Sequence, residues 1–372
     1  MKTLSVDTSL RLARVLSTLI LLWPLAPDAK RIEVIRRRSL TLLSLAHIAV
    51  TFPTMIRGTL ENMESRLDMF MGSTDMIGVG GLILYIGICY IEETRLHGLI
   101  TEMTSFMKEA NDEELAAIEF YMKKCSLLHM GTVVVALSIP VSYIFSPLIQ
   151  DQPLPGRTAY PFSIEPLWIY IMLFMSHSVI IIQIQGAICM TIAFVVLIWF
   201  GAARFDMVCM DINKATTETE VKKCAKRHQE SIHFANRLGT TVGRMAFGVA
   251  ISNLLGVIFG GVVITYRKFD SIDFFKLMIF MMIATIHLFL YAWPADYLAQ
   301  SSQRVAESIL NGKWVGKSPR MHSSLLLMMQ RANNPAIIKV DGVLPPLNLE
   351  MFGSGLSTSF SYIATLLAIF DE

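Results

Sequence analysis

Apolar residues in this chain gather into seven long stretches, at approximately 39–56, 70–91, 126–149, 166–200, 245–266, 275–296 and 349–370, instead of alternating or forming narrow amphipathic stripes. A helix needs roughly 17–25 residues to cross about 30 Å of hydrocarbon. In lipid only helices or closed barrels satisfy their own backbone, and runs this long mean helices. The pattern therefore predicts an all-α integral membrane protein with seven transmembrane helices. The fourth stretch holds 35 residues, interrupted by Ser176, His177, Gln183 and Gln185, and as one helix it would be about 52 Å long. A hairpin would give eight crossings and move the basic 201–244 segment to the side opposite the basic N-terminus. A single long helix that continues out of the membrane keeps both on one side.

The segments between the spans also carry helical spacing. Residues 216–238 read as a helix, with Glu218 four residues before Lys222 and Glu220 three before Lys223, spacings that pair charges on one face. Residues 298–311 and 320–332 repeat the pattern, so the membrane helices are expected to extend into a small bundle. No Gly/Ser-rich or Pro-rich linker and no internal repeat divides residues 1–372, which read as a single domain. The run Val15 to Leu25 behind Arg11 and Arg14 resembles a secretory signal, but no small-residue cleavage site follows it. A cytoplasmic or interface-lying N-terminal helix is the better reading.

Composition agrees with a membrane protein: 53% hydrophobic, 17% charged, mean hydropathy +0.52. A net charge of +2 gives no case for nucleic acid; the placement of the 32 Lys and Arg residues says more. With seven crossings, the first 38 residues and the segments 92–124, 201–244 and 297–348 share one side and carry 26 of them, against 6 in 57–69, 150–165 and 267–276. The positive-inside rule makes the first side cytoplasmic. The N-terminus is then inside and Asp371-Glu372 outside, the reverse of a G-protein-coupled receptor. The five cysteines, Cys89, Cys125, Cys189, Cys209 and Cys224, fall in helices or on the cytoplasmic side, so no structural disulfide is expected.

Catalytic signatures are missing: no Walker A loop, no Gly-x-Ser-x-Gly elbow and no Cys-x-x-Cys pair. Neither an enzyme nor a cofactor is expected. Gly256 and Gly260 form a small-xxx-small face for close helix packing. Polar groups inside spans are costly and often functional. His47, His177 and His287 lack partners at ligand spacing and read as hydrogen-bonded interior imidazoles more readily than as a metal site. Asp75, one and a half turns into the second span, fits a water-filled vestibule and a snorkelling interface residue equally well. Gln183 and Gln185 read mainly as bonds across helices, with ligand contact the lesser reading.

Leu347-Asn348-Leu349-Glu350-Met351-Phe352 followed by Ser361-Tyr362 resembles the ending of insect odorant receptors. Trp314, Met328-Met329-Gln330-Arg331-Ala332 and Pro335 before it do too, as do Leu22-Trp23-Pro24 and Tyr160-Pro161-Phe162. The related gustatory receptors end in Thr-Tyr, five apolar residues and Gln-Phe; residues 361–369 here lack that Gln. The family co-receptor has a large insertion between its fourth and fifth helices, where this chain has a connection of about 44 residues. The resemblance thus implies an odour-tuning subunit.

It further implies an odour-selective subunit of a ligand-gated non-selective cation channel, a heterotetramer with the co-receptor in the plasma membrane of olfactory dendrites. The seventh helix of each subunit would line the pore. Ser357, Ser361 and Thr365 recur every four residues and give one hydroxyl stripe, with Ile369 next on that face; hydroxyls bonded back to their own carbonyls are the alternative. The family pocket, in the outer half between the second, third, fourth and sixth helices, maps onto Met71, Thr74 and Asp75; Ala136, Ile139 and Tyr143; Met175 and Val179; Met278, Met281, Met282 and Thr285. Such a lining suits a small neutral volatile. A secondary transporter would show paired repeats and broken helices, and neither is visible.

Overall fold

Each of the seven apolar stretches forms one helix long and apolar enough to cross a membrane. The computed structural model describes residues 6–61, 66–149, 153–265, 271–312, 318–340, 342 and 345–371. In chain order the helices are α1 (Val6–Leu19), α2 (Arg31–Glu61), α3 (Arg66–Ile91), α4 (Glu93–Glu109), α5 (Asp112–Ile144), α6 (Leu167–Lys214), α7 (Glu218–Thr265), α8 (Ser271–Leu310), α9 (Pro319–Ala332) and α10 (Leu349–Asp371). The candidate spans are α2, α3, α5, α6, α7, α8 and α10. The fourth stretch is one helix of 48 residues, about 72 Å long, and the hairpin alternative falls away. The end of α2 and the start of α3, the end of α5 and the start of α6, and the end of α7 and the start of α8 lie at one end of the molecule, the short-loop end. At the other, the bundle end, the extended α6, α7 and α8 gather α1, α4 and α9 around them.

Local chemistry sets the helix starts. At α5, Asn111 Oδ1 accepts from the Glu114 amide at 3.0 Å and Glu114 returns a carboxylate to the Asn111 amide at 2.9 Å, a capping box. Glu218 pairs with Lys222 at 2.9 Å as its spacing predicted. Glu220 does not pair with Lys223. Its carboxylate turns back onto the amides of Thr216 and Thr217 at 2.7 and 3.0 Å, because unmet amides at a helix start attract a carboxylate more strongly than an exposed ammonium does. The N-terminal helix forms earlier than the apolar run at 15–25: α1 ends at Leu19, and Leu21 turns left-handed at φ 64°. The Arg37 guanidinium donates to the carbonyls of Leu21 and of Trp23, the latter at 2.9 Å, and so caps the exit from α1.

The core lies at the bundle end. From Cys189 to Phe205 every residue of α6 is buried. Trp199 stacks on Tyr121 with ring centroids 5.1 Å apart and meets Trp293 edge-on at 5.2 Å. The charges that enter this core at α6 are met by counter-charges. Arg204, 7% exposed, donates to Glu102 at 2.5 Å, and Arg237 donates to the same carboxylate. Arg304 bonds Asp206 at 2.7 Å, and Arg227 bridges Asp211 at 2.7 Å to Glu114. The C-terminal segment docks here as well: the Leu347 amide donates to Ile338 at 2.8 Å, and Asn348 Oδ1 caps α10 through the Met351 amide at 2.8 Å. All five cysteines are free thiols. By contrast Leu42, Leu43, Val50, Leu127, Val134 and Trp168 stand more than half exposed around the rim of the short-loop half, a large apolar surface that fits contact with lipid.

Partial burial of Glu102 would raise its carboxyl, but the bonds from Arg237 and Arg204 outweigh that and hold it below the ordinary 4.5. A carboxyl lowered on folding adds stability above its unfolded value and loses it as pH falls. Glu102→Gln should leave buried Arg204 short of its counter-charge and cost about 2–3 kcal/mol at neutral pH. In thermal unfolding of the purified membrane protein, the gap between wild type and variant should narrow as pH falls below 4.5.

Candidate ligand cavity and candidate pore helix

At the short-loop end α2, α3, α5, α6, α7 and α8 diverge around a cavity of about 650 Å³. Helix phase decides its walls. On α6 the residues at three- and four-residue steps, His177, Ile180, Ile181, Ile184, Gln185 and Ile188, face inward. On α8 the inward set is Ile279, Phe280, Ile283, Ala284 and His287. From α3 come Thr74, Asp75, Gly78, Leu82 and Tyr85, and α5 adds Ile139 and Tyr143. The distance along α6 from His177 to Ile188 makes the cavity about 16 Å long. Most of the lining surface is apolar.

The segment after α5 seals the short-loop end. Pro155, Gly156 and Thr158 line the cavity there. The Gly156 amide donates to His177 Nδ1 at 3.2 Å, which places the ring proton on Nε2, where it is donated to the Tyr160 hydroxyl at 2.9 Å. The Ala159 amide donates to the Thr54 carbonyl of α2 at 3.0 Å. The segment can lie this close only because position 58 is glycine: a Cβ there would come within 2.9 Å of the Ala159 nitrogen.

At the inner end the Asn253 amide donates to His287 Nδ1 at 3.2 Å, so His287 Nε2–H donates to Thr191 Oγ1 at 2.7 Å. The Tyr291 hydroxyl reaches the same Thr191 oxygen at 3.3 Å. Ser252 bonds back to the Gly248 carbonyl and Thr74 to that of Met71. His47 holds Ser176 at 2.6 Å, so all three interior imidazoles are hydrogen-bonded. The two glutamines separate: Gln183 bonds across to Ser44 of α2 at 2.9 Å, whereas Gln185 lines the cavity and its Oε1 is buried without a hydrogen-bond partner. Sequence reasoning missed Tyr85 and Asn253 as wall residues. A polar residue within an apolar run marked both.

Four of the residues proposed for a pocket, Thr74, Asp75, Ile139 and Tyr143, line this cavity. Ala136 belongs to α5, and its side chain lies outside what is described. The others are placed elsewhere. Met175, Val179, Met278 and Met282 are 58%, 42%, 45% and 49% exposed and face outward. Met71 is buried in a separate cluster with Val262, Leu277 and Ile363. Met281 fills the groove over Gly260, where a Cβ would meet its Cγ at 3.0 Å, as Phe280 covers Gly256; the small-residue face of α7 is thus a packing seam. Thr285 bonds back to the Met281 carbonyl at 2.9 Å. The physical reason is phase. Residues one position from an inward residue turn about 100° away.

Among the described residues the last helix, α10, packs mainly on α7 and α8: Phe352 meets Phe289, Gly355 lies against Leu254, and Ile363 is seated on Gly261, where any Cβ would come within 2.3 Å of it. Its opposite face, with Ser357, Ser361, Thr365 and Ile369, is exposed in the single chain. Ser361 and Thr365 bond to the carbonyls one turn earlier at 3.1 and 2.9 Å, so the hydroxyls are satisfied locally while still facing outward.

The family model described as 7tm odorant receptor matches residues 80–360. Odorant receptor Or2 of Anopheles gambiae is 23% identical over 308 residues, 75% of this chain and 78% of its own length. Odorant receptor 10 of Aedes albopictus is 28% identical over 160 residues, 41% of this chain and 40% of that one. Among solved structures, the insect olfactory receptor OR5 from Machilis hrabei in complex with eugenol has a similar fold, with a TM-score of 0.80 at 15% identity over 98% of this chain and 100% of that chain. A second structure of that receptor gives 0.81 at 14% identity over 98% of both chains.

The phases of α6 and α8 make a direct forecast. With a homologous series of neutral straight-chain compounds, read as protection against thermal unfolding, Ile184→Ala should shift the best-fitting member to a longer chain. Met282→Ala, on the outer face, should leave the optimum where it was.

Proposed function

Since the chain belongs to the 7tm odorant receptor family, we propose that it is the odour-selective subunit of a ligand-gated non-selective cation channel, a heterotetramer with the family co-receptor. The observation that carries this reading is the largely apolar cavity of about 650 Å³ among six helices, a size and lining suited to a small neutral volatile. That the Machilis hrabei receptor of like fold was solved in complex with eugenol supports such an occupant. Thr74, Asp75, Ile139 and Tyr143, with Tyr85, Gln185 and Phe280, contact the odorant. No Lys or Arg is among the described lining residues, so an anionic ligand would be desolvated without a counter-charge at a cost of several kcal/mol.

The bare face of α10 supports a pore-lining role for Ser357, Ser361, Thr365 and Ile369, since a polar stripe on a membrane helix calls for water or partners. The excess of Lys and Arg at the bundle end supports a cytoplasmic N-terminus and an extracellular C-terminus, with the cavity in the outer half. The bundle end then serves as the intracellular anchor where subunits meet. The protein acts in the plasma membrane of sensory dendrites.

Expressed with the co-receptor, the chain should give cation current when volatiles are applied; expressed with volatiles but no current under voltage clamp, the channel reading would be lost. Two variants sharpen the test. Thr365→Lys should reduce cation current by about tenfold through charge repulsion near a narrow pore, while surface expression stays near wild type. Ile181→Trp should abolish activation by filling the cavity, and unchanged dose–response curves would remove the cavity from the mechanism. A glycosylation tag should be modified at the C-terminus and not at the N-terminus.

A further inference from the structure

The cavity wall is aliphatic, yet its polar atoms are unequal in what they still need. At the inner end Asn253, His287, Thr191 and Tyr291 form a closed network in which each ring nitrogen of His287 has a partner. Ser252 and Thr74 are satisfied by their own helices. One buried side-chain oxygen of the inner wall, Oε1 of Gln185, 9% exposed, is left without a hydrogen bond, and the hydroxyl of Tyr85, 6% exposed, stands beside Thr191 and Tyr291 without closing a bond of ordinary geometry to either. The cavity's other unmet atom, Thr158 Oγ1, sits in the loop that seals the opposite end. Other unmet buried atoms, such as Trp199 Nε1 and His129 Nε2, do not touch the cavity.

A buried polar atom without a partner costs about 1–3 kcal/mol, which a suitable ligand can recover. The carboxamide oxygen accepts only, so it asks for a donor; a phenolic hydroxyl donates or accepts. Ketones, esters and ethers can accept from Tyr85 or from the Gln185 amide protons but can never serve the Gln185 oxygen, and a chain that fills the inner end without a donor shuts water away from that oxygen. A hydroxyl can donate to one and accept from the other. Leu82, Ile181, Ile184 and Ile283 offer only apolar contact, and the Asp75 carboxylate and Tyr143 hydroxyl belong to the opposite half of the lining. The sealed end lies more than ten ångströms away, since eight residues of α6 separate His177 from Gln185, about 12 Å of helix.

Resting on the reading of this cavity as the odorant site, we propose that the preferred ligand class is the neutral alcohol or phenol, its hydroxyl held at the inner end by Gln185 and Tyr85 and its apolar body directed toward the loop. Gln185 is then a specificity-determining residue of the family pocket in this chain.

The test uses the full chain in lipid nanodiscs and reads apparent affinity from ligand protection against thermal unfolding. The probes are the straight 1-alkanols from butanol to decanol, with 2-alkanones and methyl ethers of matched length. Alcohols should bind about tenfold more tightly than ketones or ethers, the worth of one net hydrogen bond. Gln185→Met, which keeps length and loses the acceptor, should remove most of that preference while leaving ether affinity unchanged or improved. Tyr85→Phe should weaken all three series alike, and Gln185→Leu serves if Gln185→Met fails to fold. Equal binding of the three series by wild type, or a preference that survives loss of the Gln185 carboxamide, overturns the proposal. If those equal affinities are abolished by Ile181→Trp, the cavity reading stands and only the head-group assignment falls. If no series protects the chain, both are overturned.

Discussion

A charge cannot be left alone in the middle of a helix bundle, and Arg204 stands in the most enclosed part of this one. Its counter-charge, Glu102, comes from α4 and also receives Arg237 from α7, so one carboxylate ties three helices together. Around that knot Trp199, Tyr121 and Trp293 pack the shared interior, and Arg227 and Arg304 fasten α5, α6, α7 and α8 at the margins. Because the helices are gripped tightly at the bundle end, they can part at the other without the fold losing its register. The cavity exists because its walls are anchored elsewhere.

That division also explains the two kinds of polar residue in the short-loop half. Some hold helices together: Ser44 with Gln183, His47 with Ser176, and the Asn253–His287–Thr191 network. Others face the cavity with capacity unspent. Gln183 and Gln185 are two positions apart on one helix, which turns their side chains about 200° from one another; the same residue type therefore serves as a bolt between helices in one case and faces the cavity in the other.

Much of this was legible in the residues. Seven spans, the uninterrupted α6 and the helical character of the bundle-end segments followed from apolar run length and charge placement, because the cost of exposing backbone in lipid leaves few alternatives. The glycine seam of α7 was legible for the same kind of reason. The wall of the cavity was legible only as a region. Met278 and Met282 have the composition of a pocket lining but the wrong phase, since an apolar helix in lipid carries hydrophobic residues all round and its sequence does not mark which face is inward. Met281 went to a packing seam for that reason, while Tyr85 and Asn253, plain polar residues in apolar runs, turned out to face the interior. Glu220 shows the same limit on a smaller scale: spacing offered Lys223, and the open amides at the start of α7 took it instead.

The seal over the cavity is made largely by main chain. Gly156 and Ala159 hold it through amide protons that every residue except proline possesses, to a ring nitrogen of His177 and a carbonyl of Thr54. Evolution can therefore rewrite most side chains of that segment without unfastening it, and it can likewise change the aliphatic wall without disturbing the knot at the far end. Gly58, pressed against the Ala159 backbone, is denied that liberty, and Gly156, where a Cβ would meet His177 Nδ1 at 3.2 Å, has little of it. A lineage built on this plan is free to diversify what it detects at one end while what it is built from at the other stays constant.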